Sequence, residues 1–330
     1  LLLLGGTTAF LSLFLDNVTT VVLIGPITVL IAEILGISPV PLLMAEALLS
    51  NTSGVATLVG DPPNILIGSA AGLHFNDFLM HLAPIVLISA LAVLFLLKVL
   101  FRRELAEQPR SIEALMTLDE VAAIKDRMAL TRILIVLGCV IVLFFLETLL
   151  HLRPAFLALL GAAAVLLWVR PDVEEVFRRI EWAVLLFFAA LFVTVGGIEA
   201  SGLLDLLARQ IAGLAHQNLL LTSLALLWFS ALLSAVVDNI PFTILMVPVI
   251  HQLGDCGPHT TALWWALALG AGFGGNGTPI GSTANVLIVS ISEKTRTPIT
   301  TAIWMRTGLP AMLVACIVST LLFILTFGMM

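Results

Sequence analysis

The sequence predicts an all-α polytopic membrane protein made of two inverted-topology repeats, each with a re-entrant helical hairpin and a broken transmembrane helix. Three observations predict it. Apolar residues form 60% of the 330-residue chain, charged residues only 11%, and mean hydropathy is +1.14, a balance that excludes a water-soluble globule of this size. The apolar runs are helix-length and contain Gly and Pro, unlike the alternating segments of about ten residues in an outer-membrane barrel. Finally, one polar phrase occurs twice, 222 positions apart: Asp16-Asn17-Val18-Thr19-Thr20 ahead of Pro26, and Asp238-Asn239-Ile240-Pro241-Phe242-Thr243 ahead of Pro248.

A second phrase repeats with the first. Gly54, Thr57, Gly60 and Asn64 coincide without gaps, at an offset of 221, with Gly275, Thr278, Gly281 and Asn285. Duplicated polar, glycine-rich breaks in apolar helices mark secondary transporters, in which substrate and coupling ions bind where helices are interrupted near the bilayer midplane.

A helix crosses the hydrocarbon core in about 20 apolar residues. On that ruler residues 1–101 are the first repeat: a hairpin at 1–36 with its tip at Asp16-Asn17, a broken helix at 40–73 and a span at 82–101. Residues 102–130, rich in both charges, read as a cytoplasmic linker. The second repeat, 131–330, holds spans at 133–150, 155–169 and 182–199, a hairpin at 219–253, a broken helix at 259–293 and a span at 303–327. Residues 203–216 have helical periodicity, with Asp205 and Arg209 on a polar side, and read as an interfacial helix. The second repeat starts 107 residues before Asp238 whereas fifteen precede Asp16, so about ninety residues, enough for three spans, are expected to be missing from the first.

Charge placement tests the layout, since Lys and Arg concentrate in cytoplasmic loops. Threading the parse puts thirteen of the fifteen basic residues on one side and leaves Arg153 and Arg209 on the other. The first hairpin then opens from the cytoplasm and the second from outside, which makes the repeats inverted. This is the layout of an integral, multi-pass protein of a bacterial-type inner or plasma membrane, with the lipid bilayer and a small ion as its partners.

Other classes find little support. Cys139, Cys256 and Cys316 stand singly, without a CxxC or clustered His, and read as packing residues. No basic patch suggests nucleic acid, and no nucleophile and base accompany the intramembrane acids, so the chain does not read as an enzyme. No structural metal and no cofactor is expected, apart from Na+ or H+ as coupling ion. An ion channel is the nearest rival, but it calls for a continuous polar pathway rather than two internally matched breaks.

An ionised carboxylate near the bilayer centre costs roughly 2.5–3.5 kcal/mol on insertion scales, so one that is present faces protein or water. Asp16 and Asp238 sit at the hairpin tips beside Asn17 and Asn239, with Thr19, Thr20 and Thr243 in the first turns that follow. They suit helix capping and ion binding alike, because a half-helix N-terminus points its free N–H groups at the same spot. In Gly60-Asp61-Pro62-Pro63-Asn64 the prolines end one half-helix and start the next, leaving carbonyls able to coordinate a cation; Asn51, Thr52 and Thr57 add oxygens, and Na+ would sit near Asp16, Asn17, Asp61 and Asn64. The counterpart break offers Asn276, Thr278, Ser282, Thr283 and Asn285. Glu46, in the apolar half-helix LLMAEALLS, is either a buried neutral acid or a proton-coupling group. Glu33, Glu147 and Glu199 fall near span ends, where snorkelling or capping accounts for them; His74, Asp77, His81, His251 and Asp255 read as surface residues. Residues 1–97 contain no Lys or Arg, so the field around the first break favours protons, Na+ or a neutral solute over a multiply charged anion unless a bound cation offsets it.

The strings DNVTT, GDPPN, DNIPFT and GGNGT, in that order, resemble the ArsB/NhaD/P-protein branch of the ion transporter superfamily, most closely the pink-eyed-dilution P-protein-type permeases. The resemblance covers the chain from about residue 10 onward. It implies two inverted repeats in a homodimer, an elevator-like movement, and transport of Na+ against H+, of arsenite or antimonite, or of small anions. Divalent-anion/sodium symporters look more distant: a Ser-Asn-Thr phrase occupies their hairpin tips, where this chain has Asp16-Asn17-Val18 and Asp238-Asn239-Ile240. That departure argues against citrate or succinate. Na+/H+ antiport is the preferred expectation and arsenite efflux the alternative, because As(OH)3 is neutral.

Overall fold

The computed structural model describes residues 1–106, 126–180, 182–202, 218–251 and 261–329. Most of the expected linker, the expected interfacial helix at 203–216, and Asp255 and Cys256 lie outside the described residues. Every regular element among the described residues is helical. α1 (Leu2–Leu11) and α2 (Asn17–Leu35) meet at the first Asp-Asn tip, and α3 (Val40–Gly54) and α4 (Pro62–Ala71) flank the first break. α5 (Phe75–His81) leads into α6 (Ala83–Leu100). After the linker come α7 (Arg127–Phe145), the single turn α8 (Glu147–Leu150), α9 (Pro154–Val169), α10 (Val173–Arg179) and α11 (Trp182–Ala200). α12 (Leu219–Ser234) and α13 (Asn239–His251) meet at the second tip, α14 (Thr261–Gly274) and α15 (Thr283–Glu293) flank the second break, and α16 (Thr301–Thr326) follows.

Among the described residues α2, α6, α7 and α16 are long and apolar enough to cross a membrane. Their outer faces carry bare apolar side chains such as Leu91, Phe95, Leu134, Ile317 and Leu325, as suits helices solvated by lipid. Cys139 on α7 shares that exposure, while Cys316 on α16 is buried in the core as a packing residue should be.

The halves of the chain pack in matching ways. α1 lies on α3 as α12 lies on α14, and α2 lies on α3 as α13 lies on α14. Across the halves, α2 packs on α15 and α13 on α4, so each hairpin's second arm seats against the other half's second half-helix. α6 packs on its own counterpart α16. α3 is buried along its whole length and α14 from Ala262 onward, which is why neither shows an amphipathic stripe.

Two devices hold each break together. The first is a glycine pair. A Cβ on Gly60 would lie 2.5 Å from the carbonyl oxygens of both Gly54 and Ser12, and one on Gly281 would lie 2.7 Å from that of Gly275. Only hydrogen fits where the chain folds this closely on itself. The second is an asparagine clamp: the Asn64 amide donates to the carbonyls of Gly54 (3.3 Å), Val55 (3.1 Å) and Thr57 (2.7 Å), and the Asn285 amide donates to those of Gly275 (2.7 Å) and Thr278 (2.9 Å). The break carbonyls expected to lack partners are thus engaged, as an apolar surrounding demands. Hydroxyls staple each break to its own hairpin. Ser12 donates to Ser50 O (2.9 Å) and Thr57 to Leu13 O (2.6 Å); Ser234 donates to Ala271 O (2.6 Å) and Thr278 to Ala235 O (2.5 Å).

Glu147, expected to snorkel or cap at a span end, caps an element distant in sequence. It is 1% exposed and accepts the Phe75 N–H at 2.5 Å, with His74 Nδ1 at 3.4 Å, thereby pinning α5 to the α7–α8 corner. His74 is half exposed, and Asp77 accepts the His74 N–H at 2.7 Å.

Two outcomes are expected. Gly60→Ala forces a methyl against two backbone oxygens and should lower stability by about 1–3 kcal/mol, the usual cost of overpacking, read as a drop in thermal midpoint in detergent. Asn64→Ala orphans three buried carbonyls, whereas Asn285→Ala orphans only that of Gly275, because Thr278 O keeps the Gly281 N–H at 3.2 Å; at about 1–3 kcal/mol for each group left unmet, both unfold at lower temperature and Asn64→Ala at the lowest.

Candidate functional site

The two hairpin tips and the two breaks converge on one carboxylate. Asp61, N-cap of α4 and 1% exposed, accepts from the Asn17 amide of the first tip at 3.3 Å and from the Asn239 amide of the second at 3.2 and 3.4 Å, one to each carboxylate oxygen. Both tip asparagines are 2% exposed. Residues 178 apart in sequence are joined through a single acid.

From there a chain of amides crosses the molecule. Asn17 also donates to Asn51 Oδ1 (3.0 Å), which takes a second bond from Ser282 Oγ (3.0 Å). The Asn51 amide donates to Asn276 Oδ1 (3.1 Å) and Asn285 Oδ1 (2.8 Å), and Asn276 donates to Thr52 Oγ1 (2.9 Å) and Leu48 O (3.3 Å). Asn51, Thr52, Asn276 and Asn285 have no exposed surface, and Ser282 has 1%. In so apolar a setting every such group must find a partner, which is why the tips are locked to the breaks.

Several expected site residues do other work. Asp16 caps α2 by accepting the Thr19 N–H (3.4 Å), and Thr19 itself is exposed. Asp238 accepts the Ile240 N–H (3.1 Å) and the Thr283 hydroxyl (3.1 Å), linking the second tip to the start of α15. Both acids are half-buried, so the acid sealed in the centre is Asp61 rather than the pair at the tips. Thr57, Thr278 and Asn64 bond within their own halves as staples and clamp, and Thr243 donates back to Asn239 O (2.8 Å). Thr20 is fully buried with no partner for its hydroxyl among the described residues.

Sequence reasoning passed over three groups. Ser12 and Ser234 brace the tips, and the offset of 222 that pairs Asp16 with Asp238 pairs them too. Trp304 on α16 is fully buried and donates from Nε1 to Asn276 O at 3.1 Å, with Gly308 one turn on leaving it room. Its signal is the Trp-x-x-x-Gly spacing on one helix face.

No Lys or Arg bonds to Asp61 among the described residues, and no group of three His, Cys, Asp or Glu side chains there is placed to hold a metal ion. The centre therefore offers one carboxylate, hydroxyls and amides, an oxygen-rich set of the kind that hard cations take as ligands.

Comparison with known proteins bears on the same residues. The CitMHS family, described as citrate transporter, matches residues 1–270, a stretch that holds the first break and both hairpin tips. A 46 kDa membrane protein of Mycobacterium leprae is 43% identical over 312 residues, covering 94% of this chain and 73% of that protein. An uncharacterised transporter of Mycobacterium tuberculosis is 42% identical over 322 residues, 97% of this chain and 75% of that protein. The human P protein is 33% identical over 390 aligned residues; these cover 94% of this chain but only 46% of the P protein. The likeness to P-protein-type permeases read from four short motifs thus extends along the chain, and the protein belongs to the CitMHS citrate transporter family, a family of integral membrane transporters of the ion transporter superfamily.

Proposed function

We propose that the chain is the ion-handling part of a cation-coupled secondary transporter, working by alternating access, in which Asp61 holds the coupling Na+ or H+. The observation that carries this reading is the Asp61 carboxylate itself, sealed between the two tip amides with no basic partner among the described residues. A buried charge without a counter-ion costs several kcal/mol, and binding a cation or a proton removes that cost. Oxygen ligands stand ready in Asp61, Asn51, Thr52 and Ser282, all within the same hydrogen-bonded network.

The two halves are inverted repeats in this reading. The exchanged packing of α2 on α15 and α13 on α4 supports it, as does the distribution of Lys and Arg. The tips and half-helices move together as an elevator against scaffold helices that assemble a homodimer in the inner or plasma membrane. Na+/H+ antiport is the activity we favour, since residues 1–97 hold buried acids and no Lys or Arg to attract an anion. A second reading comes from the family's description, citrate transporter: citrate would travel with a cation that offsets Asp61.

Purified full-length protein in proteoliposomes tests these readings. Na+-induced proton movement is expected; citrate uptake stimulated by a cation would favour the second reading, arsenite accumulation would replace both substrates, and conductance without saturation would mean a channel. Asp61→Asn should lower the rate of whichever flux is seen at least a hundredfold, about 3 kcal/mol by the tenfold-per-1.4 rule, with the melting temperature held or raised. Wild-type flux in that variant would remove Asp61 from the ion path. Ser282→Ala and Asn239→Ala, which keep the acid but strip its setting, should weaken apparent cation affinity about tenfold with a smaller effect on maximal rate, checked by flux against cation concentration.

A further inference from the structure

Glu46 is a second carboxyl group sealed on the broken helix that carries Asp61, and the Asp61 network does not use it. It has no exposed surface. One carboxylate oxygen accepts the hydroxyl of Thr28, which projects from α2; the other has no hydrogen-bond partner among the described residues. Gly25, one turn before Thr28, lies beside it and leaves room for Ile291 of α15: the place where a Gly25 Cβ would stand is 3.9 Å from that second oxygen and 2.9 Å from Ile291. Glu46 therefore sits at the seam where the second arm of the hairpin meets both the half-helix α3 and the other half's α15.

The fold does not require an acid there. At the repeat offsets the counterparts of Glu46 and Thr28 are Leu267 and Ile250, both fully or nearly fully buried, which pack the same seam in the second half with hydrocarbon alone. Nor does an ion pair explain it. The charged side chains on the elements packed against α3 are Glu33 on α2, Lys98 on α6, Glu293 on α15 and Arg306 on α16, and none of them bonds to Glu46. An acid with one oxygen unmatched and apolar surroundings is stable there only in its neutral form, whose O–H is a donor rather than a charge.

We propose that Glu46 and Thr28 form a proton-binding site separate from Asp61, loaded while α2 is seated on α3 and discharged when that seam opens to water. The step is a simple proton transfer: the carboxyl O–H bond breaks, the proton passes to water, and the carboxylate left behind is solvated until it is reprotonated and the seam closes. Five residues of helix separate Glu46 from Asn51, about 7.5 Å along the α3 axis at 1.5 Å per residue, so a cation at Asp61 and a proton at Glu46 can be held at once. The α2–α3 seam thus links the tip that binds the ion to the group that carries the proton.

This inference rests on the transport reading, and its test keeps the two apart. Full-length wild type, Glu46→Gln, Thr28→Val and Asp61→Asn are compared in proteoliposomes for cation flux and proton movement across a range of pH. Wild-type flux should change about tenfold per pH unit on the limb where a single site titrates. In Glu46→Gln that limb flattens to less than about twofold, and proton movement is lost while cation flux persists. Thr28→Val removes the hydroxyl that bonds to Glu46, so its limb shifts along the pH axis. Infrared difference spectra supply a readout independent of flux: a protonated-carboxyl band present in wild type and absent in Glu46→Gln. A Glu46→Gln protein with an unaltered pH profile and an unaltered carboxyl band overturns the inference and leaves the Asp61 reading intact, whereas a wild type that moves no ion overturns the transport reading instead. If Glu46→Gln does not fold, Thr28→Val decides: a shifted limb supports the site and an unmoved one refutes it.

Discussion

A carboxylate placed where water cannot reach it has to be met by something, and in this protein what meets Asp61 is one amide from each hairpin tip. That requirement organises the centre of the molecule. Asn17 and Asn239 can reach the same acid only if both tips penetrate to the same depth, and they can stay there only if each tip is braced against its own break. The cost of leaving any one of these buried groups unmet is comparable to a large fraction of a membrane protein's stability margin, so the arrangement behaves as a unit. Loosening one tip exposes the acid and orphans the amide network beyond it.

Interrupting a helix inside an apolar surrounding raises the same problem for the backbone. Each half answers it with a glycine pair that lets the chain fold back on itself and an asparagine whose amide gathers the freed carbonyls. These are local solutions, and they recur almost atom for atom: Ser12 with Ser234, Thr57 with Thr278, Asn64 with Asn285. The repeat is thus a repeat of scaffolding. Irregular backbone is tolerated at this depth because the residues that satisfy it are part of the same short motif.

What differs between the halves is chemical. Asp61 faces Ser282 across the repeat, Asn51 corresponds to Gly272, Asn276 to Val55, and Glu46 to Leu267. Asp61 and Glu46, the buried acids beside the breaks, fall in the first half, while the second half's break and tip contribute hydroxyls and amides to the centre. In this duplicated frame with unequal contents, one half holds the carboxyl groups and the other supplies an amide and a hydroxyl to the same network. The gap left at Gly272 is filled from the first half: a Cβ there would lie 2.2 Å from Val55 and 3.6 Å from an Asp61 oxygen.

Much of this was legible in the sequence. Composition and run length determined that the chain is helical and membrane-embedded, because apolar helices are what a bilayer permits. The offsets of 221 and 222 determined which residues correspond, because a duplicated backbone geometry needs the same Gly, Thr and Asn at the same points. Sequence could not rank the acids. Asp16 and Asp238 stand in the same phrase and looked central, yet they cap helices at half-buried positions, and the sealed acid is Asp61. Burial depends on which elements close over a residue, and that is a property of contacts between positions far apart in the chain. For the same reason only the tertiary structure decided that Asn64 clamps carbonyls while Asn51 bridges the halves, that Glu147 caps α5, and that Glu46 meets Thr28 across a seam. A side chain's type sets what it can bond to; the packing of the two halves settles what it does bond to.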